Sequence, residues 1–295
     1  MKPVPTSVPL PRHSALFTDL AELTKSRLTI LVLFTTLTGF YLASAGHPKP
    51  LPLFHALLGT AAVAAGAAVL NQVLEAAADA RMHRTKSRPI PAGRFADRDA
   101  LCLGTLLSGF GLAYLFLSCN ELTAWIAALT LFSYLFLYTP LKQITSCNTL
   151  IGAIPGALPP VIGWTAAGQP LNTGALALFL ILFFWQMPHF LAIAWLYRED
   201  YARGGFRMLT RNDPDGRATA WKTVAYALAV FLVGLLPYVW LLCGPLYLAG
   251  SLLCGGAYLA AALAFARDRS AARRLFLASI VYLPVMLILL IADQL

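Results

Sequence analysis

Nine apolar runs, each close to twenty residues long, alternate along the chain with short stretches that hold nearly all of its charge. They cover roughly 28–46, 52–74, 101–118, 122–140, 147–167, 172–196, 221–242, 246–266 and 274–292. A bilayer's hydrocarbon core is about 30 Å thick and takes about 20 helical residues to cross. Backbone polar groups in lipid must be bonded within their own segment, which for runs of this length means α-helix. The pattern predicts an all-α, polytopic membrane protein of about nine transmembrane helices. Asn120-Glu121 and Gly168-Gln169-Pro170 suit tight hairpins. No soluble domain fits between the runs. Residues 28–295 are therefore expected to form one membrane body behind a Pro-rich, flexible cytoplasmic tail over 1–27.

Composition agrees. Of 295 residues, 59% are hydrophobic and only 12% charged, and the mean hydropathy is +0.70. A soluble domain carries about 25% charged residues, so a soluble enzyme, a disordered scaffold and a nucleic-acid-binding module are all excluded. The partner this surface requires is the lipid bilayer. Of the 22 lysines and arginines, all but Lys49 fall on the side of the N-terminus. The positive-inside rule then places the N-terminus in the cytoplasm and, after nine spans, the C-terminus outside. The net charge of +9 is a topology signal and calls for no nucleic acid. All 13 acidic residues except Glu121 and Asp293 lie on the same side, where acid contributes little to orientation. Their concentration suggests a site on that face.

In NQVLEAAADARMHRTKSRP, residues 71–89, Asn71, Glu75 and Asp79 recur every fourth position and share one helical face. Two carboxylates and an amide one turn apart suit Mg²⁺, which takes one or two carboxylates together with substrate phosphates. Arg84, Lys86 and Arg88 follow and suit phosphate oxygens. The alternative is a helix end with snorkelling polar groups and local ion pairs.

In YTPLKQITSCNTLIGAIPGALPPVIGW, residues 138–164, Lys142 is the one charge between the fourth and fifth runs and a further phosphate contact. Gly152 and Gly156 read as a small-residue packing pair. Pro155, Pro159 and Pro160 imply a broken helix. In FFWQMPHFLAIAWLYRED, residues 183–200, Gln186 and His189 interrupt an apolar helix, and Glu199 and Asp200 stand at its basic end. Asp200 is a candidate partner of the first acidic cluster, whereas Glu199 can pair with Arg203 at i+4. Cys102, Cys119, Cys147, Cys243 and Cys254 have neither metal-site nor disulfide spacing and read as small buried side chains.

Together with LTKSRLTILVLFTTLTGFYLA, residues 23–43, these stretches resemble the UbiA superfamily of intramembrane prenyltransferases over nearly the whole chain. The RT-x-x-RP and WQ-x-PH segments resemble its heme-directed branch. The resemblance implies helices around a central cavity, Mg²⁺ as cofactor, and farnesyl diphosphate as donor to a vinyl group of heme b. The product, heme O, would serve heme A synthase or terminal oxidase assembly, in a cell (inner) membrane. It also implies roles for residues of this chain. Glu75, Asp79 and Asp200, beside Asn71, would hold metal. Arg84, Lys86, Arg88 and Lys142 would hold diphosphate, and Gln186 and His189 would face heme. The family's usual Arg-Asp after its first acidic position is here Ala76-Ala77. Two other readings stand beside this one: prenylation of a quinone precursor, and transport through helices broken at proline.

Overall fold

The computed structural model describes residues 13–295, with side chains from residue 16 onward. The chain is helical throughout that range: α1 (His13–Leu23), α2 (Ser26–Ala43), α3 (Pro50–Asp79), α4 (Asp97–Ser118), α5 (Glu121–Phe132), α6 (Thr139–Ile144), α7 (Asn148–Ala157), α8 (Pro159–Ala166), α9 (Thr173–Leu196), α10 (Arg198–Arg203), α11 (Arg217–Val233), α12 (Leu236–Val239), α13 (Pro245–Arg267) and α14 (Ala272–Ala292). A π-helical turn over Ser133–Tyr138 joins α5 to α6. Among the described residues nine helical stretches are long and apolar enough to cross a membrane, one for each predicted run. The protein is a multi-pass membrane protein.

Two features shape the site. First, α3 runs on past the apolar stretch to Asp79, as the shared helical face of Asn71, Glu75 and Asp79 requires, giving 30 residues and a length of about 45 Å. That exceeds the hydrocarbon core, so its last turns carry a polar face to the basic end of the bundle. Second, the expected flexible tail is ordered over His13–Leu23, which forms α1. Leu23 is fully buried with Val69, Ile90 and Ala100, and this apolar anchorage fixes the helix. Residues 1–12 of that expectation lie outside the described residues.

Membrane helices approach one another closely where side chains are small. A Cβ on Gly39 of α2 would run into the carbonyl of Pro160, and one on Gly163 of α8 into the carbonyl of Thr36. The expected pair at 152 and 156 works differently, because each glycine makes room for a side chain, the Tyr138 ring and the Gln186 amide respectively. The fifth span breaks at Leu158, between α7 and α8, ahead of Pro159 and Pro160. Cys102, on the membrane-spanning α4, and Cys147, in the turn before α7 at the basic end, are exposed, whereas Cys243 is buried. The expectation of burial fails for Cys102 because lipid accepts a thiol as readily as a core does, and for Cys147 because it lies in an exposed turn.

At the end opposite the basic loops, Asp293 accepts from the backbone N–H of Tyr247 (2.7 Å), and Gln294 Nε2 donates to the carbonyl of Leu42 (2.7 Å). These bonds tie the last helix to α13 and α2 and leave the basic end as the open, polar one.

Candidate active site

The acidic face of α3 is buried. Asn71, Glu75 and Asp79 are each 5% exposed or less, and each meets a base from a different part of the chain. Lys142 Nζ donates to Glu75 Oε1 at 2.7 Å. Arg88 Nη1 donates to Asp79 Oδ2 at 2.6 Å. Lys25 Nζ donates to Asn71 Oδ1 at 2.8 Å and lies 3.4 Å from the Tyr134 hydroxyl. Asn71 Nδ2 in turn donates to Thr139 Oγ1 at 3.1 Å. Buried charge persists only when paired, so Glu75 and Lys142, and Asp79 and Arg88, hold one another in place. Lys25, by contrast, is bonded to a neutral amide and has its ammonium pushed down to about 7 by burial.

Local structure delivers each cation. Lys25 sits in the turn between α1 and α2 in the left-handed region, φ 46° and ψ 50°, which costs a residue with a Cβ about 1–2 kcal/mol. Gln72, next to Asn71, holds that turn by donating to the carbonyls of Glu22 (3.1 Å) and Leu23 (2.7 Å). Arg88 lies in the loop after α3, where Thr85 Oγ1 donates to the carbonyl of Asp79 at 3.0 Å. Arg94 pins the same loop to α1 through Asp19 at 2.9 Å. Lys142 lies just beyond the π-turn, with Nζ 4.4 Å from the centroid of the Tyr138 ring. Single π-turns recur at functional sites, and this one brings the Tyr134 and Tyr138 rings together, tilted, with centroids 5.8 Å apart.

Asp200 approaches the loop after α3 from α10. Its oxygens accept from the backbone N–H groups of His83 (2.8 Å) and Arg84 (3.0 Å). Burial works against its charge, yet these amides outweigh it and hold the Asp200 carboxyl below the usual carboxylate range. Arg84 lies over the rings of Tyr197 and Tyr201, 5.5 and 5.9 Å from their centroids. Glu199 pairs with Arg203 at 3.6 Å, as the i+4 spacing predicts. Lys86 is exposed.

Gln186 and His189 point to different neighbours in the middle of α9. Gln186 Nε2 donates to the carbonyl of Ala153 at 2.8 Å. His189 Nδ1 bonds Ser279 Oγ at 2.7 Å, and its ring stacks with Trp185 and Phe276 at 5.3 and 5.1 Å. Among the described residues, His189 Nε2 has no hydrogen-bond partner.

The donor set fits a hard divalent cation. Asp79 Oδ1 is buried and has no hydrogen-bond partner among the described residues, an arrangement costly unless a ligand supplies one. Among those residues no three His, Cys, Asp or Glu side chains form a metal cage by themselves. Two carboxylates, each ion-paired to a cation that can turn to phosphate oxygens, match Mg²⁺ held jointly with a diphosphate.

Lys25, Gln72, Tyr134 and Tyr138 belong to this site and were not singled out by sequence reasoning. Lys25 was absorbed into the topology count. Its signal was its place at the very edge of the first apolar run, where a polar side chain can turn back under the helices.

A helical membrane body with buried acids, bases and aromatic rings gathered at one end is the architecture of an intramembrane enzyme acting on an ionised, membrane-soluble substrate. The sequence profile of the UbiA prenyltransferase family matches residues 32–283, and the chain belongs to that family. It is 44% identical to a protoheme IX farnesyltransferase of Solibacter usitatus, over 94% of this chain and 98% of that one. It is 41% identical to one of Koribacter versatilis, over 98% and 97%. Its fold is similar to that of a digeranylgeranylglyceryl phosphate synthase (TM-score 0.80, 16% identity, 94% of this chain and 98% of that one). It is also similar to a UbiA homologue from Archaeoglobus fulgidus bound to GPP and Mg²⁺ (TM-score 0.63, 12% identity, 92% and 99%).

Proposed function

We propose that this protein transfers the farnesyl group of farnesyl diphosphate to a vinyl group of heme b, giving heme O, in a Mg²⁺-dependent reaction. The observation that carries the reading is the buried Asn71–Glu75–Asp79 face, each member met by a cation that can turn to phosphate. Relatives at 41–44% identity named protoheme IX farnesyltransferase support the choice of donor and acceptor.

Glu75 and Asp79 would hold Mg²⁺, which supplies charge neutralisation on the diphosphate. Asp200 holds the loop bearing Arg84, and its carboxylate keeps lone pairs enough to join a second ion without releasing the loop. Arg84, Arg88 and Lys142 bind the diphosphate oxygens, with Lys86 at the rim and Lys25 beneath. These cations oppose the charge that builds on the leaving group, the interaction that usually dominates such catalysis. As the C1–O bond of the farnesyl group breaks, the Tyr134 and Tyr138 rings flank the allylic cation and exclude water. The terminal vinyl carbon forms the new C–C bond, and water captures the resulting cation as a hydroxyl, releasing one proton. His189 and Gln186 lie deeper on α9, on the acceptor's side. The basic end faces the cytoplasm and the C-terminus lies outside, in a cell (inner) membrane. The product is of the kind used by heme A synthase or terminal oxidases.

The test is mass spectrometry of hemes extracted after incubating the purified protein with heme b, farnesyl diphosphate and Mg²⁺. A farnesyl hydroxyethyl heme is expected. Consumption of farnesyl diphosphate only with a quinone precursor, or none at all, would overturn the assignment.

A further inference from the structure

A cavity of about 420 Å³ opens beside the active site on the basic face, between residues 144–146 and 207–213. We infer that it holds the ionised carboxylates of the acceptor porphyrin, with Arg207 and Arg211 as their counter-ions; this rests on the heme reading above.

The cavity is a built feature of the fold. Asn148 is fully buried and staples its two walls, donating to the carbonyl of Thr145 at 2.6 Å and to that of Arg207 at 3.2 Å. A third bond runs from the backbone N–H of Arg207 to the carbonyl of Lys142 at 2.6 Å. The wall residue Arg207 is therefore fastened to the residue that pairs with Glu75. Phe206, next to it, has its ring 5.8 Å from Lys142 Nζ. The cavity and the diphosphate site share this wall.

Its charge is positive and uncommitted. Among the described residues, no carboxylate pairs with Arg207 or Arg211. Arg207 makes one long side-chain bond, 3.4 Å to the carbonyl of Ile144. The acid in the lining, Asp213, is engaged elsewhere than with the arginines, its oxygens accepting from the N–H groups of Ala218 (3.1 Å) and Thr219 (2.7 Å). By contrast, Lys142 and Arg88 already serve acids of the catalytic face. A dianionic acceptor cannot carry its carboxylates into hydrocarbon. It needs cations at the interface, close to the reaction and distinct from those that bind diphosphate. Guanidinium binds carboxylate in a bidentate fork, and the cavity takes the carboxylate edge of a porphyrin while leaving the vinyl edge free. A phospholipid headgroup offers similar anionic chemistry, so the test separates the two.

Wild type and Arg207→Gln/Arg211→Gln protein are placed in phosphatidylcholine nanodiscs and titrated with heme b and with heme b dimethyl ester, followed by Soret absorbance. The KM for farnesyl diphosphate is measured in parallel. Wild type should bind heme b about tenfold more tightly than the ester. The variant should lose that preference while keeping ester affinity and the KM for farnesyl diphosphate. A variant that still prefers heme b by the wild-type ratio would overturn the proposal. So would a deficit that appears only when the discs contain phosphatidylglycerol, which would assign the cavity to lipid. If wild type binds heme b with this preference but makes no farnesylated heme, the function proposed above fails and the cavity assignment stands. If it binds neither porphyrin, both fall.

Discussion

The ammonium of Lys25 donates to the side-chain oxygen of Asn71 at 2.8 Å, across 46 residues of sequence. The bond depends on a strained left-handed turn that Gln72 holds from the opposite helix. Strain maintained by neighbouring structure is common where geometry serves function. Burial pushes the Lys25 ammonium down to about 7, so on the function proposed above an anion bound there would hold it charged, and Lys25 would be more than one inside-positive charge. Lys25→Met should lower kcat/KM for farnesyl diphosphate about tenfold, the worth of one charge-assisted bond, and leave the amount of inserted protein unchanged. Unchanged kinetics in the purified variant would return Lys25 to a purely topological role.

The buried Asp79 and the partly buried Arg88 form a pair whose members should fail differently. Asp79→Asn keeps the shape and an acceptor for Arg88, but it removes the charge a divalent cation needs. Its kcat should fall by about two to three orders of magnitude, with a normal melting midpoint. Arg88→Met leaves the Asp79 carboxylate buried and unpaired, which costs about 3–5 kcal/mol, so this variant should lose thermal stability as well as turnover. Equal melting midpoints for the two variants would contradict the pairing.

The spans were legible because lipid imposes one rule on every residue of a run, and the polar continuation of α3 was legible from helical spacing. Hydropathy falls where Asn71, Gln72, Glu75 and Asp79 begin, but each of those side chains finds a partner inside the protein, so the helix continues. Their i, i+4, i+8 spacing showed that they share a face. It could not show that Lys25, Arg88 and Lys142 converge on it from three separate loops. Asp200 was legible as an acid at the right end of the bundle. Its grip on the amides of His83 and Arg84 depends on a tertiary contact with no sequence pattern. The separation of Gln186 from His189 was hidden for the same reason. Three residues apart on one helix, they face α7 and α14, and only the packing of those helices reveals it.

Outside the membrane, Asp213 stands where α11 begins and accepts from the N–H groups of Thr219 and Ala218. Burial opposes its charge, but these backbone bonds hold its carboxyl below the usual range. A carboxyl depressed in the folded state stabilises the fold above the unfolded carboxylate range. That contribution is lost as pH falls through its folded value. Asp213→Ala should cost about 1 kcal/mol at neutral pH, the usual worth of a helix cap. The gap in melting midpoint between wild type and variant should close as the buffer is taken below the carboxylate range. A gap independent of pH would show that the carboxylate's charge plays no part.

The alanines at 76 and 77 are where this chain departs from the Arg-Asp its family resemblance leads one to expect. Residue 77 lies about 160° around the helix from both Glu75 and Asp79, at 100° per residue. Correspondingly, Ala77 is exposed while Glu75 and Asp79 are buried. An aspartate there would face away from the acidic site and act on it only through solvent-screened charge, an interaction of small worth. Ala76 is half-buried against the cluster of Leu23, Val69, Ile90 and Ala100, so it contributes to the seat of α1 rather than to metal binding. Ala77→Asp should therefore shift the Mg²⁺ concentration for half-maximal activity by no more than about twofold, whereas Glu75→Ala should abolish turnover at any Mg²⁺ concentration. An unmodified chain that is inactive until Ala77→Asp restores it would reverse this argument. It would make residue 77, and not the buried face of α3, the position on which the metal depends.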